Sequence, residues 1–298
     1  MQEIIDFFKM NDVKYKENFD LSRISPVRIG GKALFVAYPR TTEEMIKIID
    51  FLENLKINYK IVGRMSNVLI SRDLYDGVII RTDLMILYKF SGESAYVNAG
   101  ISLPSLSKIA ADIGLSGLEQ LSGIPGSIGG AIRGNAGAFG REISELVSGV
   151  TIYDKHTRHA IDLSRKEIDF YYRQSSLMDE NYIILGATLL LSASDSQKVK
   201  RCMTDIHQIR VYTQPYNEPS LGSVFKRPVE GLSAAKLIDD CGLKGYRIGK
   251  AKISEKHAGF IINCGGATAQ DYISLVDYAV DEVYKKFGIN LEKEIEIF

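Results

Sequence analysis

A glycine-rich stretch at residues 117–140, with the sequence GLEQLSGIPGSIGGAIRGNAGAFG, constrains the fold of this chain more than any other feature. Eight of its 24 residues are glycine, between four and five times the background of roughly 7%. Leucine, isoleucine and phenylalanine side chains are spaced through it for burial, so it is not a flexible linker. Glycine lets backbone amides approach a ligand closely, and successive amides can form a concave phosphate site. The stretch favours a nucleotide diphosphate site over tight turns between packed elements.

A second candidate anion-binding loop lies at residues 63–67, between two strand-like segments. Its sequence is Gly63-Arg64-Met65-Ser66-Asn67, and Ser66 and Asn67 can add side-chain donors to the backbone amides. Taken alone, this pattern is more often an ordinary β-turn. Two such loops in one chain are stronger evidence for a phosphate-bearing ligand than either loop by itself.

The charge balance excludes a large class of partners. Lysine and arginine number 37, as do aspartate and glutamate, so the chain has no global field to attract nucleic acid or an anionic membrane. We therefore expect neither partner, and a phosphate group must be held by local residues. The most apolar run, residues 182–193, is too short to span a bilayer, and the first residues lack the features of a signal peptide.

The cysteines and histidines indicate neither a metal site nor a disulfide framework. Cys202, Cys241 and Cys264 are odd in number and widely spaced, and the four histidines show no zinc-binding spacing relative to them. We interpret the cysteines as reduced thiols, which predicts a cytoplasmic protein, and we expect a monomer.

Hydrophobic periodicity predicts a mixed α+β chain. Helices are expected near the N-terminus, after a Thr41–Glu44 capping box, and at residues 104–113, 195–211, 234–240 and 268–287, with a further helix start at Ser164 and Glu167. Strands are expected at residues 27–31, 34–38, 59–62, 68–70, 78–80 after a turn at 76–77, 182–191, 260–263 and 291–298, with hairpins at 84–99 and 150–163. Two prolines within residues 214–220 indicate a linker to a smaller C-terminal unit.

Five motifs together resemble one enzyme family. They are the glycine-rich stretch itself, YYRQS, QPYNEPSLGSVFKRP, CGLKGYRIGKAKISEKHAGFIIN and EKEIEIF, in that order along the chain. They are similar to the UDP-N-acetylenolpyruvoylglucosamine reductases, also called UDP-N-acetylmuramate dehydrogenases, and the resemblance spans residues 25–298. The chain length and the short interval between Arg173 and Ser223 resemble the second type of the family, which lacks an extra substrate-covering loop.

The resemblance implies a flavoenzyme of bacterial cell-wall synthesis with a PCMH-type α+β fold. Residues 1–82 and 83–212 are then two FAD-binding subdomains with FAD between them, and residues 213–298 are a smaller α+β substrate domain. NADPH would reduce FAD and be replaced by UDP-N-acetylglucosamine enolpyruvate, which is reduced to UDP-N-acetylmuramate. The cofactor carries the redox chemistry, so the protein positions the reactants and controls charge.

The resemblance also implies roles for individual residues. Ser223 would protonate the substrate carbon, Arg173 would stabilise charge that develops toward the substrate carboxylate, and Glu294 would orient or polarise its neighbours. The residues implied for contact with substrate or its diphosphate are Tyr172, Arg210, Lys226 and Arg227. Those implied for FAD binding are Gly63, Arg64, Ser66, Asn67, Gly123, Pro125, Gly126, Ser127, Gly129, Gly130, Asn135 and Gly137.

Several positions depart from the family pattern. Met65 stands where glycine is usual, so its Cβ is expected to restrict the first loop. Arg133-Gly134 replaces a bulkier pair, Arg227 stands where asparagine is common, and Lys250 and Lys252 add positive charge that is expected to tighten binding of a diphosphate ligand.

These departures leave two alternatives to the reductase hypothesis. One is a non-catalytic paralogue that binds the sugar nucleotide without turnover, against which all three catalytic positions argue. The other is a PCMH-type oxidase, against which the C-terminal motifs argue, as does the lack of a histidine in the cofactor loops for a covalent flavin link.

Overall fold

The computed structural model describes residues 1–229 and 231–298. Within them, the helices are α1 (Gln2–Met10), α2 (Thr42–Asn54), α3 (Leu103–Asp112), α4 (Ile128–Arg133), α5 (Ser196–Thr213), α6 (Ala234–Asp240) and α7 (Ala269–Phe287). The strands are β1 (Lys14–Asp20), β2 (Lys32–Tyr38), β3 (Tyr59–Val62), β4 (Val68–Leu69), β5 (Leu74–Arg81), β6 (Tyr88–Ser91), β7 (Ser94–Asn98), β8 (Leu115–Ser116), β9 (Gly137–Ala138), β10 (Arg141–Glu142), β11 (Val147–Asp154), β12 (His159–Ser164), β13 (Phe170–Tyr171), β14 (Gln174–Ser175), β15 (Tyr182–Leu190), β16 (Ser192–Ala193), β17 (Ser220–Ser223), β18 (Arg247–Ile248), β19 (Ala251–Ile253), β20 (Phe260–Asn263) and β21 (Glu296–Ile297).

The chain divides into two compact units, each assembled from three segments. Unit 1 comprises Met1–Glu17, Leu34–Arg64 and Asp76–His207. Unit 2 comprises Asn18–Ala33, Met65–Tyr75 and Gln208–Phe298. The first glycine loop, residues 63–67, therefore contributes residues to both units.

Most of a four-stranded sheet, in the order β1-β2-β5-β3, belongs to unit 1. Strand β3 runs parallel to β5, and helix α2 lies between β2 and β3 in the sequence. The helix starts where Thr41 accepts a hydrogen bond from the Glu44 N–H at 3.1 Å. Its inward face, which includes Met45 and Leu52, joins a buried cluster with α1. The Thr41 cap confirms the predicted helix start, although the Glu44 carboxylate caps Arg40 N–H rather than closing a capping box.

A second sheet of unit 1 is antiparallel and carries the glycine-rich stretch beside it. Its strand order is β12-β11-β15-β7-β6, which confirms both predicted hairpins. A large buried cluster joins these strands to helices α3 and α4. Leu118 and Leu121 near its start and Ile128 and Ile132 of α4 are buried in this cluster, so the stretch is anchored by core packing at more than one point.

Unit 2 is built on the sheet β17-β20-β19-β18, against which helices α6 and α7 pack. Helix α7 begins with a reciprocal capping box between Thr268 and Asp271 and ends at Gly288, whose φ of 69° is left-handed. These signals are why the sequence predicted its limits correctly. The C-terminal strand β21 pairs in parallel with β4, from the first glycine loop's own segment.

Four expected elements are absent or shorter in the described residues. Residues 27–31 do not form a strand, because Arg28 adopts a left-handed φ of 57°. The predicted turn at 76–77 lies inside strand β5. Ser164 and Glu167 form a capping box, but it caps one 3-10 turn rather than an α-helix. Only Glu296 and Ile297 of the predicted strand at 291–298 are in a strand.

No helix in the described residues is long and apolar enough to cross a membrane. The three cysteines are free, and no group of acidic, histidine or cysteine side chains among residues 1–229 and 231–298 is arranged to hold a metal ion.

Candidate active site

The two glycine loops meet in unit 1 at Gly63 and Ser127. Ser127 is the N-cap of α4, and its Oγ accepts a hydrogen bond from the Gly130 N–H at 3.3 Å. A Cβ added to Gly63 would lie 2.2 Å from that Oγ, and one added to Gly129 would lie 2.9 Å from the Ala99 Cβ. Since real Cβ atoms do not approach so closely, both positions require glycine for close backbone approach. The structure therefore brings together two loops that the sequence predicted separately.

Several amides of the second loop donate hydrogen bonds within the protein. The Gly129 N–H donates to Ala99 O at 2.8 Å, and the Asn135 N–H donates to Ile132 O at 3.2 Å. Gly63, Gly123 and Gly126 are half-buried and Pro125 is exposed. A backbone-lined surface with no Cβ at three of these positions fits the diphosphate of a dinucleotide, which small residues and amides can approach closely.

Charged side chains lie beside the first loop in unit 1. Arg81 is 7% exposed and forms an ion pair with Asp83. Burial raises the pKa of Asp83, while the positive charges of Arg81 and Arg64 act in the opposite direction. Arg64 itself is exposed. The first loop thus presents the positive charge of Arg64 at its surface, while the charges of the nearby Arg81 and Asp83 compensate each other.

Met65 keeps the backbone shape that glycine usually provides at this position. Its φ is 56°, in the left-handed region, and its side chain is 2% exposed. The departure from the family pattern therefore does not change the local backbone to a right-handed or extended conformation. The side chain is buried and does not contribute to the accessible surface of the loop.

Arg173 lies at the tip of a short hairpin formed by β13 and β14 in unit 1. Tyr171 pairs with Gln174, so Tyr172 and Arg173 form a two-residue turn in which Arg173 has a φ of 54°. The Arg173 Nη2 donates to Gly137 O at 2.8 Å, and its guanidinium lies 4.9 Å from the centre of the Tyr172 ring. The NAGA segment of the second glycine loop thus fixes the direction of the arginine.

Asn135 joins that same hairpin to the glycine loop. Its side chain is 1% exposed, and Nδ2 donates to Glu142 Oε2 at 2.8 Å and to Tyr171 O at 2.9 Å. Its Oδ1 accepts from the Ser144 N–H at 3.3 Å. Both amide hydrogens are therefore used inside the protein. Sequence reasoning assigned Asn135 to the cofactor, and these contacts with the arginine hairpin have no signal in the sequence.

The chain segments that carry Ser223 and Glu294 are paired with each other in unit 2. Strand β17 pairs with β20 through an irregular register at Gly222, whose φ is 78°, directly before Ser223. Such bulges redirect the side chain that follows. The Ser223 Oγ donates to Phe225 O over a long distance of 3.4 Å. The Glu294 N–H donates to Val224 O at 2.8 Å, so a backbone hydrogen bond joins the two chain segments.

Asn67 contacts the segment that carries Glu294 and was assigned to the cofactor by sequence reasoning. Its Nδ2 donates to Glu294 O at 2.9 Å, and its backbone carbonyl accepts from the Glu296 N–H at 2.9 Å. The two residues are 227 positions apart in the sequence. No periodicity or spacing could have predicted this contact.

The remaining basic residues predicted for substrate binding also lie in unit 2. Lys226 is paired with Glu292 at 2.5 Å, and Arg227 is exposed. Burial lowers the pKa of Arg210 in the last turn of α5, partly offset by Tyr216. Lys252 is paired with Glu255 at 3.2 Å, so its positive charge is compensated locally, and Lys250 is exposed.

His257 is a polar residue near this site that the sequence analysis did not single out. Its Nδ1 accepts from the Gly259 N–H at 3.2 Å, and its ring packs edge-on against Phe260 at 4.8 Å between centroids. Phe260 is the strand partner of Ser223. Burial lowers the pKa of His257; a backbone hydrogen bond opposes this shift, and the positive charge of Lys244 adds to it. Its position inside the SEKHAGF motif was the only signal available in the sequence.

The predicted site residues are shared between the two units. Unit 1 holds Gly63, Arg64, Tyr172, Arg173 and the predicted residues of the second glycine loop, and unit 2 holds Ser66, Asn67, Arg210, Ser223, Lys226, Arg227 and Glu294. In unit 1, Arg173 lies against the second glycine loop. In unit 2, Glu294 lies against both the Ser223 segment and the first glycine loop.

Two family models match the sequence. The model of the UDP-N-acetylenolpyruvoylglucosamine reductase C-terminal domain matches residues 214–298. The model of an FAD binding domain matches residues 33–158. The first match contains Ser223 and Glu294, and the second contains both glycine loops.

Known proteins resemble the chain over nearly its whole length. It is 39% identical over 292 residues to the UDP-N-acetylenolpyruvoylglucosamine reductase of Caldicellulosiruptor bescii. The aligned region covers 97% of this chain and 92% of that protein. It is 40% identical over 285 residues to the protein of the same name from Listeria monocytogenes, which covers 96% of this chain and 95% of that protein.

Solved structures support the same fold. The crystal structure of UDP-N-acetylenolpyruvylglucosamine reductase from Thermus caldophilus matches with a TM-score of 0.81 and 32% identity, over 96% of this chain and 98% of that chain. An alkyldihydroxyacetonephosphate synthase matches 65% of this chain and 40% of its own with a TM-score of 0.51 and 17% identity, which bears on the fold alone. The α+β, PCMH-type FAD-binding fold expected from the sequence is thereby confirmed. This chain belongs to the UDP-N-acetylenolpyruvoylglucosamine reductase family.

Proposed function

We propose that this protein is an FAD-dependent reductase that converts UDP-N-acetylglucosamine enolpyruvate to UDP-N-acetylmuramate, with NADPH as reductant, in peptidoglycan precursor synthesis. The observation that carries the proposal is the position of Ser223 and Glu294. These two catalytic candidates lie on segments joined by the hydrogen bond from Glu294 N–H to Val224 O, inside the region that matches the family's C-terminal domain.

The glycine loops supply the binding surface for FAD. Bound FAD would supply the redox chemistry, taking a hydride, that is one proton with two electrons, from NADPH and passing a hydride to the substrate double bond. Gly63 and Gly129 let the two loops pack closely against Ser127 and Ala99, and the exposed Arg64 adds positive charge. The proposed contacts to the diphosphate are backbone amides, hydroxyls and Arg64, without a metal ion.

Ser223 is proposed as the proton donor. Saturating the carbon–carbon double bond requires one hydride and one proton, and the proton goes to the carbon next to the carboxylate. A hydroxyl is a weak acid, so it can act only on a strongly basic carbon held in fixed geometry. The irregular register at Gly222 and the long 3.4 Å contact of the Ser223 Oγ leave this hydroxyl able to rotate toward such a carbon.

Arg173 and Glu294 are proposed to control charge around that proton transfer. Negative charge develops toward the substrate carboxylate as the hydride arrives, and a guanidinium stabilises it through charge-assisted hydrogen bonds. The bond from Arg173 Nη2 to Gly137 O restricts the guanidinium orientation before substrate binds. Glu294 is proposed to orient or relay the proton that Ser223 donates.

Further residues and segments are proposed to bind the reactants. Tyr172, Arg210, Lys226 and Arg227 are proposed to contact substrate or its diphosphate. Residues 1–82 and 83–212 are proposed as the FAD-binding parts and 213–298 as the substrate-binding part. We further propose a cytoplasmic monomer that requires neither nucleic acid nor membrane. A charge balance of 37 basic and 37 acidic residues supports the last point.

Anaerobic spectroscopy of the purified protein tests the reductase function. The protein should be yellow, its visible absorption should bleach with NADPH, and the colour should return when UDP-N-acetylglucosamine enolpyruvate is added. A colourless protein that does not take up FAD would contradict the proposal. A flavoprotein that binds the nucleotide without recovering its colour would instead support the non-catalytic paralogue.

Ser223→Ala tests the role of the hydroxyl. Bleaching by NADPH should proceed at the normal rate, whereas colour recovery with the enolpyruvyl nucleotide should slow by about 10²–10⁴-fold, the usual contribution of general acid catalysis. Equal rates of colour recovery in the variant and the parent protein would remove Ser223 from the mechanism.

A further inference from the structure

Glu294 is held from both sides by its peptide groups. On one side its N–H donates to Val224 O at 2.8 Å. On the other side its carbonyl accepts from the Asn67 side-chain amide at 2.9 Å. The peptide groups on either side of the Glu294 Cα are therefore fixed, and the direction of its Cα–Cβ bond is fixed with them.

Asn67 reaches this carbonyl from a backbone that is itself tied to the same segment. The Asn67 carbonyl accepts from the Glu296 N–H at 2.9 Å, and the next residue, Val68, pairs with Glu296 in the parallel strand pair. Ser71 extends this pairing through its N–H to Phe298 O at 2.7 Å. The side-chain bond from Asn67 is not part of this backbone pairing. It extends the contact between the two segments as far as Glu294.

The surroundings of this bond indicate a role other than core stability. Asn67 is exposed, and the contact lies at the surface of unit 2. Substitutions of exposed residues usually change the free energy of unfolding little. A catalytic carboxylate, in contrast, has to be held within roughly 0.5 Å of its productive position by neighbouring hydrogen bonds.

We propose that Asn67 is a positioning residue for Glu294. Its side-chain amide fixes the peptide group of Glu294 and thereby aims the carboxylate, so that a residue of the first glycine loop sets the geometry of the acid that acts in the substrate half of the reaction. The inference rests on the proposed function in one respect, namely that Glu294 takes part in that half-reaction.

Asn67→Ala and Asn67→Asp both remove the donor, and they differ in charge. The two half-reactions are measured separately by anaerobic stopped-flow absorption with FAD at saturating concentration, and FAD affinity is measured by flavin fluorescence. Because Asn67 was itself assigned to the FAD loop, the rate of bleaching by NADPH is measured in each variant with FAD bound and serves as the reference for that variant's colour recovery. Colour recovery with UDP-N-acetylglucosamine enolpyruvate should slow in both variants by about 10- to 100-fold, the effect of a displaced catalytic group.

Ser71→Ala is the matched control. It removes a side-chain hydrogen bond to the same C-terminal segment, from the Ser71 Oγ to Phe298 O at 3.1 Å, but keeps the backbone bond and leaves the Glu294 carbonyl untouched. Both half-reactions of this variant should run at the parent rates. The thermal unfolding midpoints of Ser71→Ala and Asn67→Ala should be similar, because each loses one exposed hydrogen bond.

A double-mutant cycle with Glu294→Gln decides whether Asn67 acts through Glu294. If it does, Asn67→Ala slows colour recovery in the parent protein but has little further effect in the Glu294→Gln background. An equal slowing in both backgrounds, or an equal slowing of both half-reactions, would overturn the inference alone. A Glu294→Gln protein that recovers its colour at the parent rate would overturn the catalytic role of Glu294 and the inference with it.

Discussion

Met65 shows how a single residue can keep a glycine conformation without being glycine. A left-handed φ costs a residue with a Cβ about 1–2 kcal/mol. Burial of a methionine side chain contributes about 1.5–3 kcal/mol, and Met65 is 2% exposed with a φ of 56°. The two effects are similar in size, so burial offsets the strain.

This balance predicts an unusual order of stability for substitutions at position 65. Met65→Ala loses the buried side chain and keeps the strain, so the free energy of unfolding should fall by about 2–4 kcal/mol. Met65→Gly loses the same contacts but relieves the strain, so it should be the more stable of the two by about 1 kcal/mol. Urea unfolding of the three proteins gives the order, and a glycine variant less stable than the alanine variant would contradict it.

His257 predicts a pH dependence of stability. Its pKa in the folded protein is lowered by burial, so the unfolded chain binds a proton more readily than the folded one. The free energy of unfolding should therefore decrease as pH falls below about 6.5, the ordinary histidine value. In His257→Gln this part of the decrease should vanish, as followed by urea unfolding between pH 7.5 and about 5.5.

His159→Gln is the control for that experiment, because His159 is exposed in the hairpin of β11 and β12. Its unfolding curve should keep the parent's pH dependence. A parent-like dependence in His257→Gln as well would show that the buried imidazole does not cause it.

Among the elements, the β13–β14 hairpin depends on residues outside itself. It has only two residue pairs, Phe170 with Ser175 and Tyr171 with Gln174, and a hairpin of that length is not stable alone. Ser175 Oγ donates to Arg133 O at 2.7 Å, and Asn135 donates to Tyr171 O. The second glycine loop is therefore the support on which Arg173 is presented.

Asn135→Ala should destabilise this arrangement. It removes three hydrogen bonds made by a side chain that is 1% exposed, so the free energy of unfolding should fall by about 2–3 kcal/mol, since each such bond contributes about 0.5–1.5 kcal/mol. Asn181→Ala is the control: its exposed amide bonds only to Asp179, and the loss should stay within about 0.5 kcal/mol. Chemical unfolding of both variants measures the difference, and equal losses would contradict the role given to Asn135.

Elements with local signals were predictable from the sequence, and those set by distant contacts were not. Helix α7 was predicted because Thr268 and Gly288 mark its ends by their own chemistry. The segment at 291–298 was predicted as one strand from its alternation. It instead bridges to Phe225 through Lys293 and then pairs with β4, two partners that only the folded chain brings near.

The candidate site follows the same division. The glycine loops were recognisable because glycine is required where backbones approach, as at Gly63 beside Ser127. The hydrogen bonds of Asn67 to Glu294 and of Asn135 to Tyr171 were not predictable from the sequence. An asparagine side chain offers the same donors and acceptor to a ligand as to the protein, so the residue type does not show which of them it binds.

At the scale of the whole molecule, unit 2 is not a contiguous piece of chain. Its buried cluster includes Val27, Ile29 and Leu69 together with residues of the C-terminal region such as Leu237 and Val276. Asn263 adds a buried hydrogen bond from Nδ2 to Val27 O at 2.9 Å. The region matched by the C-terminal family model, residues 214–298, therefore lacks part of its own core.

A fragment of residues 208–298 should consequently fail to fold cooperatively by itself. Without Val27, Ile29 and Leu69, the apolar surface that they cover is left exposed to water. We expect a broad thermal transition by circular dichroism and rapid proteolysis, in contrast to the full chain. A fragment with a sharp transition near that of the full chain would show that the two N-terminal segments are dispensable.

The parallel pair of β4 and β21 has a consequence for biosynthesis. Residues 65–75 leave the ribosome long before residues 296–298, their partners in this ladder. The first glycine loop and β4 therefore remain without their β21 partner while more than two hundred further codons are translated. The peptide groups of Glu294 can be fixed by Asn67 only after residues 294–298 have been translated, so the proposed catalytic groups are assembled late relative to the first glycine loop.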